Sequence, residues 1–325
     1  MRPDDDARQP GRLKWLLDSD PAIRWQVMRD FTIEAPGAIA AERARVASEG
    51  WGARLLALQG ADGKWGDDIS GPKWHATLYT LLLLRHMGLD PQSEQARGAV
   101  GLVRDKVTWG PEFGNASFFE GEIEPCINGG VLALGGYFGE AGDRLLERLL
   151  GEQLEDGGWN CEAPKSRRSS FHTTICVLEG LLEYERSKGA NSAVTAARVR
   201  GQEYLLERRM FRRLSTGEVV ERNWTHFSFP ATWHYDILRG LDYLRSAAVE
   251  PDERVSEAVG LVAAARQPNG RWLLHYPHPA PPRWWRYPID FEMEDGEGKD
   301  SRWNTLRALR VLRWHGIEAA SQDVS

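Results

Sequence analysis

Apolar residues recur every third or fourth position through most of the 325-residue chain, the spacing that lays one stripe along an α-helix. No strand-rich stretch competes with it. The clearest stripe is Phe171, Ile175, Leu178 and Leu182, and Ser169 and Ser170 stand just before it. A serine hydroxyl there accepts a free N–H of the first turn, so a helix starts at that point. The pattern predicts two kinds of helix in alternation. Helices at 51–59, 96–107, 145–154, 199–211 and 255–266 are charged on one face, which keeps one side in water. Helices at 74–88, 125–139, 171–187, 232–247 and 303–316 are apolar or rich in small residues on most sides, which marks them as buried. A short helix at 13–17 and a second opened by Asp20 and Pro21, with Ile23, Val27 and Phe31 on one side, form a first pair. Six pairs result, at a period of roughly 45–70 residues, the mark of a repeat architecture.

The turns repeat as well. Gln59, Gly63 and Trp65 fit Q-x3-G-x-W, and so do Gln153, Gly157 and Trp159. Gln267, Gly270 and Trp272 fit it with one residue fewer. Each set lies where a water-facing helix ends and glycine supplies left-handed backbone. We read the three tryptophans as fasteners, not reactive groups. Six pairs close into a ring with the charged helices outside and the apolar ones inside, which leaves no inner helix uncovered. The expected fold is all-α, an (α/α)6 toroid of paired inner and outer helices. It spans residues 11–317 as a single domain, between a disordered tail at 1–10 and a second tail at 318–325. The starts of the inner helices then face one mouth of a central space.

Charge and composition narrow the function. Lys and Arg number 41 against 47 Asp and Glu, and the basic residues are spread along the chain, so nothing favours nucleic acid. No apolar run reaches the roughly 18 residues of a membrane-spanning helix. The opening MRPDDDARQP is too polar for a secretory signal, which points to a cytoplasmic protein. The three cysteines Cys126, Cys161 and Cys176 are an odd number, which argues against a disulfide framework. The 14 tryptophans fit either an aromatic-lined interior or dense core packing.

The Q-x3-G-x-W turns resemble those of squalene–hopene and oxidosqualene cyclases. The stretch GGWNCEAPKSRRSSFHTTICVLEGL, residues 157–181, resembles the segment of protein prenyltransferase β subunits that holds a zinc-binding histidine. The likeness covers about residues 50–316 and implies the terpenoid cyclase/protein prenyltransferase toroid. In the prenyltransferases an Asp-x-Cys at one inner-helix start and a His at the next bind zinc. Here Glu124-Pro125-Cys126 and His172 stand at those places, with glutamate for aspartate. Cys161, in the connecting loop, adds another donor of the kind zinc takes. The resemblance thus implies zinc as a cofactor on Glu124, Cys126 and His172, and Cys161 stands beside them as a fourth candidate ligand. The alternative is structural: a small thiol packed beside Asn128, Gly129 and Gly130, and a histidine cap. Cys176 reads as core.

The departures from the family matter too. Its diphosphate-binding basic residues are replaced by Glu120, Glu122 and Glu124, which repel an anion. Lys165, Arg167 and Arg168 are the nearest substitutes. The Asp-x-Asp-Asp acid of squalene-type cyclases does not occur. Asp236 is the best single inner-helix carboxylate, and with His234 and His172 it makes the candidate catalytic set. Asp290, Glu292, Glu294 and Asp295 form an acidic loop before the last inner helix, read as solvent-exposed, with a lid as the alternative. Trp74, His75, Phe171, Trp233 and Trp303 sit at inner-helix starts and are the expected cavity lining, with Trp284 and Trp285 as a cap. Ring faces stabilise a nearby cation by up to about 2 kcal/mol when desolvated, and they suit any apolar ligand equally.

The leading expectation is an enzyme of that superfamily acting on a hydrophobic, isoprenoid-like small molecule in a central aromatic cavity, zinc-assisted at its mouth. Two alternatives stand beside it. One is a non-catalytic toroid holding a lipid or peptide. The other is a zinc-dependent thiol-adding cyclase, as the lanthionine synthetases are, whose Trp-Cys-Tyr-Gly and Cys-His-Gly signatures this chain lacks.

Overall fold

The structure is a computed structural model that describes residues 9–66, 73–140, 142–275 and 293–317. Thirteen α-helices make up nearly all of the regular structure among the described residues. In chain order these are α1 Gln9–Leu17, α2 Pro21–Phe31, α3 Pro36–Ala44, α4 Gly50–Ala57, α5 Lys73–Met87, α6 Glu94–Lys106 and α7 Pro125–Phe138. They continue with α8 Asp143–Gly151, α9 Phe171–Lys188, α10 Ser192–Glu207, α11 Ile237–Ser246, α12 Ser256–Ala264 and α13 Arg302–His315. A two-residue ladder pairs β1 Trp272–Leu273 with β2 Asp300–Ser301.

Six of these helices, α2, α5, α7, α9, α11 and α13, stand side by side and run the same way. Glu179 of α9 meets Arg239 of α11, and seven residues on Arg186 meets Ser246. Gly129 of α7 faces the Cys176 carbonyl of α9, and Gly136 faces that of Glu183. Equal steps along both partners mean parallel helices. The last helix returns to the first: Arg302 Nη2 donates to the Asp18 carbonyl (3.4 Å), and Arg310 Nη2 to Gln26 Oε1 (2.9 Å). Trp25 Nε1 of α2 donates to the Met87 carbonyl of α5 (2.8 Å). The ring of inner helices is therefore closed. The other member of each pair precedes its inner partner and buries one stripe only, as Leu145, Leu146 and Leu149 do in α8. The fold is an all-α toroid of paired inner and outer helices.

The three tryptophan turns share one geometry. The Trp65, Trp159 and Trp272 indole N–H groups each donate to the carbonyl ten residues back, on the outer helix just ended (2.7 Å each). Their backbone N–H groups donate to Thr77, Thr174 and Thr305 on the first turns of the next inner helices (3.0–3.1 Å). Gln59 and Gln153 Nε2 also reach Ala99 and Ala197 of the following outer helices (3.2 and 2.8 Å). Each turn thus ties an outer helix to its inner partner, and two of them reach the next outer helix.

Several elements differ from the sequence expectation. α3 lies in a stretch given no element, because it has no side-chain cap and no buried residue to make a stripe. α10 starts earlier, at an Asn191 cap whose Oδ1 accepts from Ala193 and Val194 N–H (3.0 and 3.2 Å). α11 starts later than residue 232: Thr232 sits at φ 47°, and Asp236 is the cap. α1 begins at Gln9, inside the stretch assigned to a tail, while 1–8 and 318–325 lie outside the described residues. Among the described residues no helix is long and apolar enough to cross a membrane.

Candidate functional site

The ring encloses a cavity of about 760 Å³, walled by side chains from all six inner helices and from α3. Its two ends differ. Near the inner-helix starts the wall carries Tyr79, Ile127, Phe229, Trp233 and Trp303, with Trp303 stacked on Phe229 at 4.2 Å. Toward the inner-helix ends the wall turns basic: Arg29, Arg85, Arg186, Arg245 and Arg310 come from last or next-to-last turns, and Arg43 comes from α3. Between them Arg239 holds Glu179 with two hydrogen bonds (2.9 and 2.8 Å) and donates to the Thr232 and His234 carbonyls. Burial works to raise the Glu179 carboxyl, but Arg239 overcomes it and holds the group below its usual range. Asp242 is held down likewise, its desolvation outweighed by Arg245 and Arg310. Glu183 is bonded to Arg85 (2.6 Å). Every carboxylate on the described wall thus has an arginine partner.

At the inner-helix starts, α7 and the loop after Trp159 bring two thiols together. Pro125 opens α7 and sets Cys126 on its first turn, on the cavity wall. The Cys126 and Cys161 sulfurs lie 3.2 Å apart, and the Thr173 hydroxyl is 3.4 Å from Cys161. Glu124 Oε2 is 3.6 Å from Cys126 Sγ. One donor atom from each of Glu124, Cys126 and Cys161 lies within 4.8 Å of the other two. The two thiols are shifted in opposite directions. The hydrogen bond with Cys161 and burial push Cys126 well up, while the hydrogen bonds with Cys126 and Thr173 outweigh burial and bring Cys161 down. Cys161 is the first of the two to ionise.

His172 does not join them. Its Nδ1 accepts the Tyr235 N–H (2.8 Å), and its ring lies edge-on to Trp224, Trp233 and His234. Burial lowers its pKa to about 4, so the ring is neutral, and an accepting Nδ1 leaves the proton on Nε2. Neither nitrogen then offers a lone pair to a metal. The structure thus brings together three of the four expected donors and gives His172 the task of holding Tyr235.

The other expected site residues divide. Trp233 and Trp303 line the cavity. Phe171 packs instead against Tyr204, Trp224 and Tyr235, with centroids 4.7–5.2 Å away. His75, lowered to about 4 by burial, lies beside Tyr79. The Trp74 side chain, Trp284, Trp285, Asp290 and Glu292 lie outside the described residues. Asp236 is not at the cavity surface. It is 2% exposed, and its Oδ1 accepts the Arg239 N–H (2.7 Å) as the cap of α11. His234 stacks on Trp233 at 3.6 Å, and its carbonyl is taken by Arg239. Glu294 turns inward, not out to solvent as the acidic-loop reading expected. It accepts from the Ser301 hydroxyl and from the Arg302 N–H (2.7 and 2.6 Å) at the start of α13. Lys165, Arg167 and Arg168 are exposed on their loop. Cys176 is buried, as core, and burial raises it to about 11. Sequence reasoning missed the arginine end and the Glu179–Arg239 pair. The available signal was an arginine closing an apolar run, as Arg85 does after Leu81 to Leu84, which by itself reads only as a helix-end charge.

No protein-family description matches the sequence, and no curated protein matches it. Among solved structures the chain is similar to a type II terpene cyclase, MstE, from Scytonema. A variant of that enzyme in complex with geranylgeranyl dihydroxybenzoate, its substrate, aligns at TM-score 0.45 and 16% identity, over 95% of this chain and 99% of that one. The apo enzyme aligns at 0.44 and 15%, over 93% and 98%. A variant with the product merosterolic acid A aligns at 0.43 and 17%, over 94% and 98%.

Proposed function

We propose that this protein holds an elongated, mainly apolar, isoprenoid-like molecule inside the helical ring and acts on it at the thiol end. The observation that carries the reading is the cavity itself. Its volume falls in the range of about 300–1,000 Å³ typical of small-molecule sites. Leu78, Leu82, Leu182, Phe229, Trp233 and Trp303 give it apolar and aromatic wall. Such a wall favours an apolar chain by roughly 25 cal/mol for each Å² it covers.

The donor set at Glu124, Cys126 and Cys161 fits zinc with three protein ligands and one open position, the arrangement of catalytic sites. Bound there, zinc would polarise an oxygen or stabilise a thiolate. The chain's own part is separate from that: Cys161 is the acidic thiol of the pair, Thr173 holds it by its hydroxyl, and Cys126 faces the cavity.

A second reading, a toroid that binds without catalysis, draws support from the carboxylates. All the carboxylates on the described wall are paired to arginine, so none of them is a free acid for proton-started cyclisation. The thiol-adding cyclase gains less, since His172 is engaged with Tyr235.

The test uses protein purified without a histidine tag, with zinc and extractable lipid measured together. The expected result is about one zinc per chain, lost in Cys126→Ser and Cys161→Ser but kept in His172→Asn, and an apolar molecule released by solvent. Less than about a tenth of an equivalent of zinc with lipid still present favours the binding toroid. Absence of affinity for any isoprenoid would remove the proposal.

A further inference from the structure

The basic end of the cavity carries more charge than the protein neutralises. Seven arginines, Arg29, Arg43, Arg85, Arg186, Arg245, Arg307 and Arg310, face three carboxylates there, each carboxylate shared, and Arg307 alone reaches a further one, Asp236 (4.0 Å). Asp30 serves Arg29 and Arg310, Glu183 serves Arg85 (2.6 Å) and Arg186 (3.8 Å), and Asp242 serves Arg245 (2.8 Å) and Arg307 (3.9 Å). Arg43 has no carboxylate partner among the described residues. Its Nε donates to the Gly88 carbonyl (2.8 Å) and its Nη2 to the Tyr137 hydroxyl (2.9 Å). Arg85 Nε is buried and has no hydrogen-bond partner.

Helix ends account for part of this. The last carbonyls of parallel inner helices are partly negative, and Arg43 and Arg186 each donate to one. Yet that effect is worth about 0.3–1 kcal/mol per exposed charge and fades within one turn. It does not occupy Arg85 Nε, nor the free fork of a guanidinium with five donors. Burial lowers both Arg186 and Arg310 from their usual range, and neighbouring arginines add to it, a sign of crowded cations. Uncompensated charge in a partly dry space is costly until an anion arrives.

We infer that the ligand of this cavity bears an anionic head, a phosphate, diphosphate or carboxylate, held by Arg43, Arg85 and Arg186, with its apolar chain directed toward Cys126. The inference rests on the proposed apolar-ligand cavity and adds to it the ligand's charge and direction. Guanidinium forks match the paired oxygens of these groups. The head lies opposite the thiols: Cys126 and Tyr137, at the two ends of α7, are about 16 Å apart along the helix axis. An amphiphile seated this way presents its tail, not its head, to the thiol group.

The test is calorimetry on the full chain with farnesyl diphosphate, farnesoic acid and farnesol. At least one anion is expected to bind ten-fold or more tightly than farnesol, and the better anion identifies the head. Arg43→Gln combined with Arg186→Gln is expected to erase that preference while farnesol binds as before, and Arg43→Lys alone is expected to keep most of it. The anion's affinity is also expected to fall as salt rises. If farnesol matches both anions on the unchanged protein, or if the preference survives in the double variant, the head-group site is wrong and the cavity reading stands. If none of the three binds, both fall.

Discussion

Thr174 shows how much of this ring hangs on single hydrogen bonds. Its hydroxyl accepts the buried Trp159 N–H (3.1 Å), and Thr77 and Thr305 do the same for Trp65 and Trp272. Thr174→Val keeps the shape and removes the acceptor, leaving a buried N–H unpaired. Urea unfolding is expected to show a loss of about 1–3 kcal/mol. Thr174→Ser, which restores the oxygen, is expected to recover most of it. A valine variant as stable as the parent would mean that the indole and glutamine bonds carry the turn alone. At this scale the sequence reading was uneven, for physical reasons. The Q-x3-G-x-W spacing is local, so it exposed the tryptophans and glutamines, but their threonine partners are 12 to 33 residues away. Cys126 was legible because it stands at a helix start, and Cys161 because it lies in the polar loop that leads to the next one. His172 stands at such a start too, yet the Tyr235 N–H claims it, and that neighbour lies 63 residues on.

At the scale of elements the closest contact is α7 against α9. A Cβ on Gly129 would sit 2.5 Å from the Cys176 carbonyl oxygen, and one on Gly180 would sit 2.4 Å from that of Gly129. Both obstacles are backbone, which cannot rotate aside. Gly129→Ala is therefore expected to cost about 1–3 kcal/mol by overpacking, read as a lower denaturation midpoint. It is also expected to weaken any zinc binding by shifting Cys126, whereas Gly98→Ala, with nothing near its Cβ and ordinary helical backbone, should leave the metal unaffected. An unperturbed Gly129→Ala would imply that the two helices can part without loss. Helices with a strong apolar stripe and a cap, such as α9 with Ser170, were legible almost to the residue. α3 was not, because it packs Ile39, Ala40 and Arg43 only at the cavity rim and buries no stripe of its own. α11 misled in the other direction. Residues 232–236 look helical in sequence, but Tyr235 spends its N–H on His172 and Asp236 turns to cap.

For the whole molecule, ring closure changes what a dispersed sequence means. The arginines looked scattered because they end different helices, with gaps of 42 to 101 residues along Arg43, Arg85, Arg186, Arg245 and Arg310, and parallel packing brings those ends to one rim. The same closure buries imidazoles. Burial lowers His75 and His172 to about 4, and burial with Arg85 and other nearby charges lowers His86 to about 3. All three are neutral when folded, while in the unfolded chain they take up protons below about pH 6.5. Between about pH 6.5 and 4 the unfolded state thus binds more protons, so stability rises with pH across that window and is lost on acidification. Glu179, Asp242 and Asp30, all held below their usual range, add a second loss once the pH falls through the carboxylate range. Asp20, Glu122 and Glu294, raised first by burial, oppose this, because they bind protons more readily when folded. Denaturation midpoints should accordingly drop between pH 7.5 and 5, before any carboxylate with an ordinary pKa titrates. His172→Asn should make that drop shallower, since the amide oxygen can still accept the Tyr235 N–H but takes no proton. A midpoint constant from pH 7.5 to 5 would show that these rings are reached by water and charge within the fold, and that the inner ring is looser than its packing implies.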